Sequence, residues 1–167
     1  CFPRDNDALL NFSKLVNYKN ELSKGVVKTN SITLENLKFQ LNMIKEKKFS
    51  SIFFAGIGYK PNTPSLESSF VLELIKHCKK INMEVYYYDR YIDEKIDYAK
   101  RVLDLQDFKK YSKIIFLPYV DRQFNKVKNK HGIIWDIWCQ AEGVNVIRNI
   151  KEINLREKSN LVYLKDN

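Results

Sequence analysis

Three cysteines, Cys1, Cys78 and Cys139, are all that the 167 residues contain. They form no CxxC pair and no histidine stands at ligand spacing, which argues against both a disulfide framework and a zinc site. A reducing compartment fits that scarcity. Long apolar runs are missing as well. No stretch approaches the roughly 20 apolar residues of a membrane span, and no signal-peptide pattern opens the chain. A soluble, cytoplasmic protein with no membrane partner and no metal is the expectation. Internal repeats and low-complexity linkers are also lacking. Acidic residues are the minority charge, 20 Asp+Glu against 29 Lys+Arg, for a net charge of +9. That balance suits an anionic partner such as a nucleotide, a phosphate or nucleic acid, while a lysine-rich solvated surface accounts for it more simply. What the chain does have is 44% hydrophobic residues, enough to bury a core.

Along the chain, Leu9, Phe12 and Val16 fall at helical spacing behind Asp5, Asn6 and Asp7, which can cap and charge a first turn. The pattern predicts an amphipathic helix from Asp5 to about Leu22, broken at Ser23-Lys24-Gly25. A second, long helix then carries a stripe of Leu34, Leu37, Leu41 and Ile44 to about Lys48. Such a stripe seeks another helix, either the first one or its own copy in a homodimer. Beyond Lys48 the period changes. Ser51 to Ala55, Glu84 to Tyr88, Lys113 to Leu117 and Ile133 to Ile137 read as strands. Helices are predicted between them over 68–80, with Val71, Leu74, Ile75 and Cys78 on one face, over 96–107, and briefly over 121–127. Leu161, Val162 and Tyr163 suggest an edge strand in 158–167. Alternation of this kind implies an α/β domain, a Rossmann-like parallel sheet flanked by helices, over 49–167, preceded by a helical segment over 1–48.

Gly56 and Gly58 follow the first strand directly, so the chain can turn sharply and a ligand can approach the backbone. Pro61 stands where a dinucleotide fingerprint would have its third glycine, which breaks GxGxxG. Asp89, at the end of the second strand, sits where a ribose-binding acid would, leaving NAD binding by this sheet a minor reading. Lys60, beside a strand-end turn at the carboxyl edge, is placed for a phosphate contact. Thr63, Ser65, Ser68 and Ser69 can cap the next helix. An exposed lysine and ordinary capping serines are the plain alternative. Trp135 and Trp138 offer rings for stacking on a base or sugar, with core packing expected for at least one of them. His77 is expected on the exposed side of its helix and His131 in a turn, neither catalytic. The run 122–130 is basic with Phe124 interleaved; a solvated helix and loop describes it better than a nucleic-acid site.

The segment GIGYKPNTPSLESS, residues 56–69, resembles the signature of the nucleotide-sugar-binding C-terminal domain in the UDP-glucose/GDP-mannose dehydrogenase family, where a strand runs into G-hydrophobic-G/A-F/Y-K-P-N-T. EVYYYD at 84–89 is similar to that family's second strand and IIWDI at 133–137 to its late strand. At the other end, CFPRDNDAL, residues 1–9, resembles the family's catalytic-cysteine motif C-F-P-K/R-D-x-x-A-L. Together the two motifs, in order and joined by a long helix, span most of the chain. The resemblance implies a dehydrogenase from its catalytic cysteine onward, without the N-terminal NAD-binding domain and therefore inactive alone. It implies oxidation of a nucleotide sugar's 6-hydroxymethyl group to a carboxylate with two NAD molecules. Cys1 would be the nucleophile, its thiolate adding to the aldehyde to give a hemithioacetal and then a thioester. Asp5, four residues on, would assist the hydrolytic water. Arg4 would favour thiolate and oxyanion. Phe2, Arg4, Tyr59, Lys60 and Trp138 would contact the nucleotide sugar. Taken alone, a leading cysteine also opens N-terminal-nucleophile hydrolases and lipoproteins, which the rest of the motif does not particularly fit.

The sequence departs from the family pattern at charged positions. Pro64 and Ser65 replace two acids, Glu67 and Ser68 stand where Arg-Glu is usual, and D-x-R in the late strand reads Asp136, Ile137, Trp138. A carboxylate in place of an arginine repels a diphosphate by roughly a few kcal/mol where solvation is poor. These changes bear on UDP-sugar affinity rather than on the fold, and a diverged module that binds without catalysing is the alternative they suggest.

Overall fold

In the computed structural model, which describes residues 2–127, 132–141 and 146–152, the chain forms two compact units, residues 1–39 and 40–167. In the first unit α1 (Phe2–Leu15) leads through a turn into α2 (Glu21–Glu46), whose last turns belong to the second unit. The predicted break at Ser23-Lys24-Gly25 is not there. Asn17 takes a left-handed turn, φ 53°, and the Asn20 side-chain oxygen accepts the Ser23 N–H at 3.0 Å. An asparagine cap starts the helix early enough to run through Gly25, whose missing side chain faces open space. The α1 stripe is helical as predicted, yet Leu9, Phe12 and Val16 are all more than half exposed.

In the second unit the end of the α2 stripe is core, with Leu41 and Ile44 fully buried. Gln40 Oε1 accepts the Ile150 N–H at 3.0 Å, and Asn42 Oδ1 lies 2.8 Å from His77 Nε2. His77 is therefore half-buried against α2, not exposed as its helix position suggested. Six parallel strands follow the order β3-β2-β1-β4-β5-β6. They are β1 (Ser51–Phe54), β2 (Glu84–Tyr87), β3 (Ala99–Arg101), β4 (Ile114–Leu117), β5 (Ile133–Asp136) and β6 (Val146–Ile147). The four predicted strands recur to within about a residue at each end. α3 (Phe70–Lys80) buries Val71, Leu74, Ile75 and Cys78, the face the spacing predicted. Burial pushes the Cys78 thiol up to about 12, so it stays protonated and inert.

The helix expected over 96–107 is replaced by edge strand β3, paired with Val85 to Tyr87, and a 3₁₀ helix over Leu105–Lys110 whose Asp104 cap accepts the Gln106 N–H. Cross-strand chemistry decides it. Lys100 Nζ sits 2.8 Å from Glu84 Oε1 on β2, holding the Glu84 carboxyl below its usual range, and lies over the Tyr86 ring. The short helix predicted over 121–127 is a 3₁₀ helix, Arg122–Lys126; the tail strand over 158–167 and His131 lie outside the described residues.

Strand alternation divides the core by face. One face carries an in-register aromatic ladder, Phe54 against Phe116 at 5.6 Å and Phe116 against Trp135 at 4.6 Å between ring centroids. Phe70 of α3 meets Phe116 edge-on. The other face clusters Phe53, Ile115, Leu117 and Ile134 with Phe108 and Phe124 from the 3₁₀ helices.

Candidate functional site

The chain runs outward from β1 to β3, then returns to the other side of β1 for β4 to β6. In such a sheet the loops leaving β1 and β4 at their carboxyl ends diverge and leave a crevice, where ligands of doubly wound folds bind. Residues 55–69 after β1, 118–121 after β4 and 137–141 after β5 form this edge.

Asp89, just past β2, fixes the first of these loops. Its carboxylate is buried and accepts four backbone N–H groups. Oδ2 takes Ile57 at 2.9 Å and Gly58 at 3.2 Å, and Oδ1 takes Tyr91 at 2.9 Å and Ile92 at 3.2 Å. The sequence suggested a ribose-binding acid at this position. The structure instead gives one oxygen to the glycine turn and the other to the backbone just after Asp89 itself, so they do not fit the role of a dinucleotide ribose anchor.

Gly56 has φ 127°, a conformation that only glycine adopts readily. Its Cα faces the hydroxyl of Tyr119, the residue that sequence reasoning missed. Tyr119 follows β4 and stacks on Phe124 at 5.8 Å. Burial first, then the charges of Asp89 and Asp121, push its hydroxyl above the ordinary tyrosine range, so it stands at the crevice as a neutral phenol. The signal for it was an aromatic residue two places beyond a strand end facing a glycine, which only the strand order makes meaningful.

After the glycines the loop is held by its own hydrogen bonds. Tyr59 N–H donates to Ser65 O at 2.9 Å, and Ser69 Oγ donates to Ile57 O at 2.6 Å. Ser69 precedes α3 but gives its side chain to the turn and not to the helix amides, contrary to the capping role expected of it. Ser65 Oγ accepts the Glu67 N–H at 3.3 Å, Thr63 Oγ1 donates to Pro61 O, and Ser68 takes φ 61°. Lys60 is exposed at the tip, Tyr59 half-buried beside it.

The loop after β5 is organised by the fully buried Asp136. It accepts N–H groups from Trp138 at 3.0 Å, Gln140 at 2.8 Å and Ala141 at 2.7 Å. Arg148, from the end of β6, donates to Ala141 O at 3.0 Å and stands 3.5 Å from Asp136 Oδ2. The late-strand aspartate thus gained a cation, but one used for architecture. Trp135 is core, whereas Trp138 is half exposed with its indole N–H on Pro118 O at 2.8 Å. Gln140 bridges the two loops, donating to Tyr119 O and accepting the Asp121 N–H. Tyr59, Lys60, Tyr119 and Trp138 therefore all lie on loops of one sheet edge.

In the first unit Arg4 and Asp5 are exposed on the first turn of α1, 3.7 Å apart. Phe2 begins that helix, and Cys1 lies outside the described residues. Among the described residues no group of three or more His, Cys, Asp or Glu could hold a metal, and no helix is long and apolar enough to cross a membrane.

Known proteins carry the same organisation. The sequence profile described as "UDP-glucose/GDP-mannose dehydrogenase family, UDP binding domain" matches residues 54–142, from the end of β1 to past Gln140. UDP-glucose 6-dehydrogenase TuaD of Bacillus subtilis is 30% identical over 90 residues, 53% of this chain and 20% of its own. UDP-glucose 6-dehydrogenase of Campylobacter jejuni is 30% identical over 97 residues, 57% of this chain and 23% of its own. The chain thus spans about a fifth of these relatives. Among solved structures, a UDP-glucose dehydrogenase from Pyrobaculum islandicum superposes with TM-score 0.73 at 19% identity, covering 88% of this chain and 37% of that one. GDP-mannose dehydrogenase from Pseudomonas aeruginosa gives 0.70 at 15% identity, covering 87% and 38%. With the glycine turn, the switch-point crevice and a profile match over more than half its length, the chain belongs to the UDP-glucose/GDP-mannose dehydrogenase family and carries its UDP-binding domain.

Proposed function

We propose that this chain is the nucleotide-sugar-binding part of an NAD-dependent 6-dehydrogenase that oxidises a UDP- or GDP-sugar to the uronic acid for polysaccharide biosynthesis. The observation that carries the reading is the turn of Gly56, Gly58 and Lys60, locked by Asp89 at the switch point of the sheet. Lys60 would meet a phosphate oxygen as a mobile point charge. Tyr59 and the exposed Trp138 would offer ring surface to the base or sugar. In the whole protein Cys1 would serve as nucleophile, Asp5 would assist the hydrolytic water, and Arg4 and Phe2 would line the sugar. NAD would be held mainly by a domain outside this chain, since Asp89 is committed to backbone.

Calorimetric titration of the chain with UDP, UDP-glucose, a UDP-N-acetylhexosamine and GDP-mannose tests this reading. At least one nucleotide sugar is expected to bind, and Lys60→Ala to weaken it about tenfold, the order of one charge-assisted contact. Absence of binding across the panel, or unaltered affinity in Lys60→Ala, would refute it. A diverged, non-catalytic module is the second reading. It is favoured by Glu67 and Trp138 standing where the family pattern has arginines.

A homodimer through the helical segment belongs to the same proposal. Leu22, Ile32 and Phe39 on α2 are about 50–80% exposed, apolar side chains that a second copy of the helix would cover. Light scattering is expected to give about twice the 19.8 kDa chain mass, and Ile32→Lys with Phe39→Lys to return the monomer. A monomer at every concentration would remove the dimer.

A further inference from the structure

We propose that Trp138 reads the ligand's nucleobase by its ring face alone, a fixed stacking ledge on which uracil and guanine are held about equally. The role rests on the nucleotide-sugar reading above and gives the ring to the base, not to the sugar.

Trp138 is pinned at both ends. Its backbone N–H donates to Oδ1 of the fully buried Asp136 at 3.0 Å. Its side chain reaches back over β4, where the indole N–H donates at 2.8 Å to the carbonyl of Pro118, the first residue past that strand. Cys139 then turns left-handed, φ 57°, and Gln140 ties the two loops, donating to Tyr119 O at 2.8 Å and accepting the Asp121 N–H at 2.9 Å. Single exposed apolar residues are ordinary on a protein surface. A ring held this firmly is different, because its rotamer freedom is already lost and binding need not remove it again. Trp138 nevertheless remains 50% exposed. Val120, 60% exposed, lies in the β4 loop between the residues that carry those ties.

The indole has one polar hydrogen, and Pro118 accepts it. What remains for a ligand is π surface. Sugar hydroxyls need polar partners, whereas a flat base needs only a face. Every base has such a face, so stacking tolerates a change of base, and discrimination requires hydrogen bonds to base edges that this ring cannot make. The position suits the part. β4 pairs with β1 on one side and β5 on the other. At about 4.8 Å between neighbouring strands, the β5 loop leaves the sheet about 10 Å from the loop that carries Lys60. A nucleoside diphosphate can bridge that span, with phosphate at Lys60 and base on Trp138. Where the family pattern has an arginine, whose fork selects phosphate or carboxylate, this chain has a tryptophan, and a charge contact gives way to stacking.

Fluorescence and calorimetry of the 167-residue chain test the role together. The chain has two tryptophans, and Trp135 is fully buried. UDP and GDP are each expected to quench the emission, and Trp138→Phe, which keeps Trp135, to abolish the quenching while retaining most of the affinity. Their Kd values are expected to agree within about fivefold. Trp138→Ala is expected to weaken UDP, GDP and UDP-glucose by the same factor, about tenfold, and to leave pyrophosphate, which has no base, unaffected. The unfolding midpoint of each variant is measured alongside, and should Trp138→Ala fail to fold, the quenching and its loss in Trp138→Phe decide. The role is overturned if Trp138→Ala weakens UDP-glucose but not UDP, which would give the ring to the sugar. Equal weakening of pyrophosphate, a preference of more than about a hundredfold between UDP and GDP, or full affinity in the folded variant also overturns it. Binding that depends on Lys60 but ignores Trp138 sinks this role alone. A wild-type chain that binds no nucleotide sugar removes the underlying reading and the role with it.

Discussion

Asp89→Ala is expected to destabilise the second unit by about 4 kcal/mol and to abolish an ordered Lys60 turn, the largest effect of any single side-chain truncation at this sheet edge. Four backbone N–H groups converge on one buried carboxylate at 2.9 to 3.2 Å. Hydrogen bonds to a charged acceptor contribute about 1.5–3 kcal/mol each, and a buried donor left unmatched costs about 1–3 kcal/mol. Water can reach some of these donors once the carboxylate is gone, so the total falls below the sum. Against the roughly 5–15 kcal/mol that holds a domain together, such a loss leaves little margin. Urea denaturation followed by tryptophan fluorescence reads it directly. Asp89→Asn keeps one acceptor oxygen and is expected to lose about half as much. A change below about 1 kcal/mol in Asp89→Ala would show that the turn does not depend on this carboxylate. In whatever fraction still folds, nucleotide-sugar affinity is expected to drop with the turn, although no atom of Asp89 is free to touch the ligand.

That dependence explains which parts of the molecule were legible in the sequence. β1, β4 and β5 are short runs of large apolar residues buried on both faces, and α3 shows its core face at unmistakable spacing. Periodicity reports burial, so elements that owe their existence to burial could be read. β3 owes its existence to pairing, with Lys100 and Arg101 exposed and only three residues long. Its determinants are the partners Glu84 on β2 and Asp93 in the loop before it, pairings between charged side chains that apolar periodicity does not report. β6 is two residues long and was missed for the same reason. The α2 start was misplaced because Gly25 is a louder local signal than the Asn20 cap that overrides it.

The candidate site divides in the same way. Lys60 and the glycines were legible because a turn and a charge are local features. Asp89 was seen, with ribose binding only a minor reading, but its structural task was not, since a carboxylate at a strand end reads equally as ribose ligand or as acceptor for a neighbouring loop. Only the register of β2 beside β1 separates the two. Tyr119 and Arg148 act across strands and so had no sequence signal of their own.

Gly56→Ala is expected to cost about 4 kcal/mol, for two separable reasons. The φ of 127° strains any residue with a Cβ, which contributes about 1–3 kcal/mol. The added methyl would also fall on the Tyr119 hydroxyl and 2.6 Å from its Cζ, an overlap costing about 1–3 kcal/mol more. Tyr119 has little freedom to yield, because its ring is stacked on the buried Phe124 and packed against the core of that face. A double-mutant cycle with Tyr119→Leu separates the terms. With the ring gone, Gly56→Ala is expected to cost only the backbone part, giving a coupling of about 1–2 kcal/mol between the two positions. Equal costs in both backgrounds would mean that strain alone excludes a side chain and that Tyr119 sits over Gly56 without constraining it. The same cycle read by titration separates stability from recognition. If Tyr119 borders the place where a ligand approaches the turn, Tyr119→Leu alone will alter nucleotide-sugar affinity beyond its cost to folding. Gly56→Ala will weaken binding by more than its loss of folded protein explains.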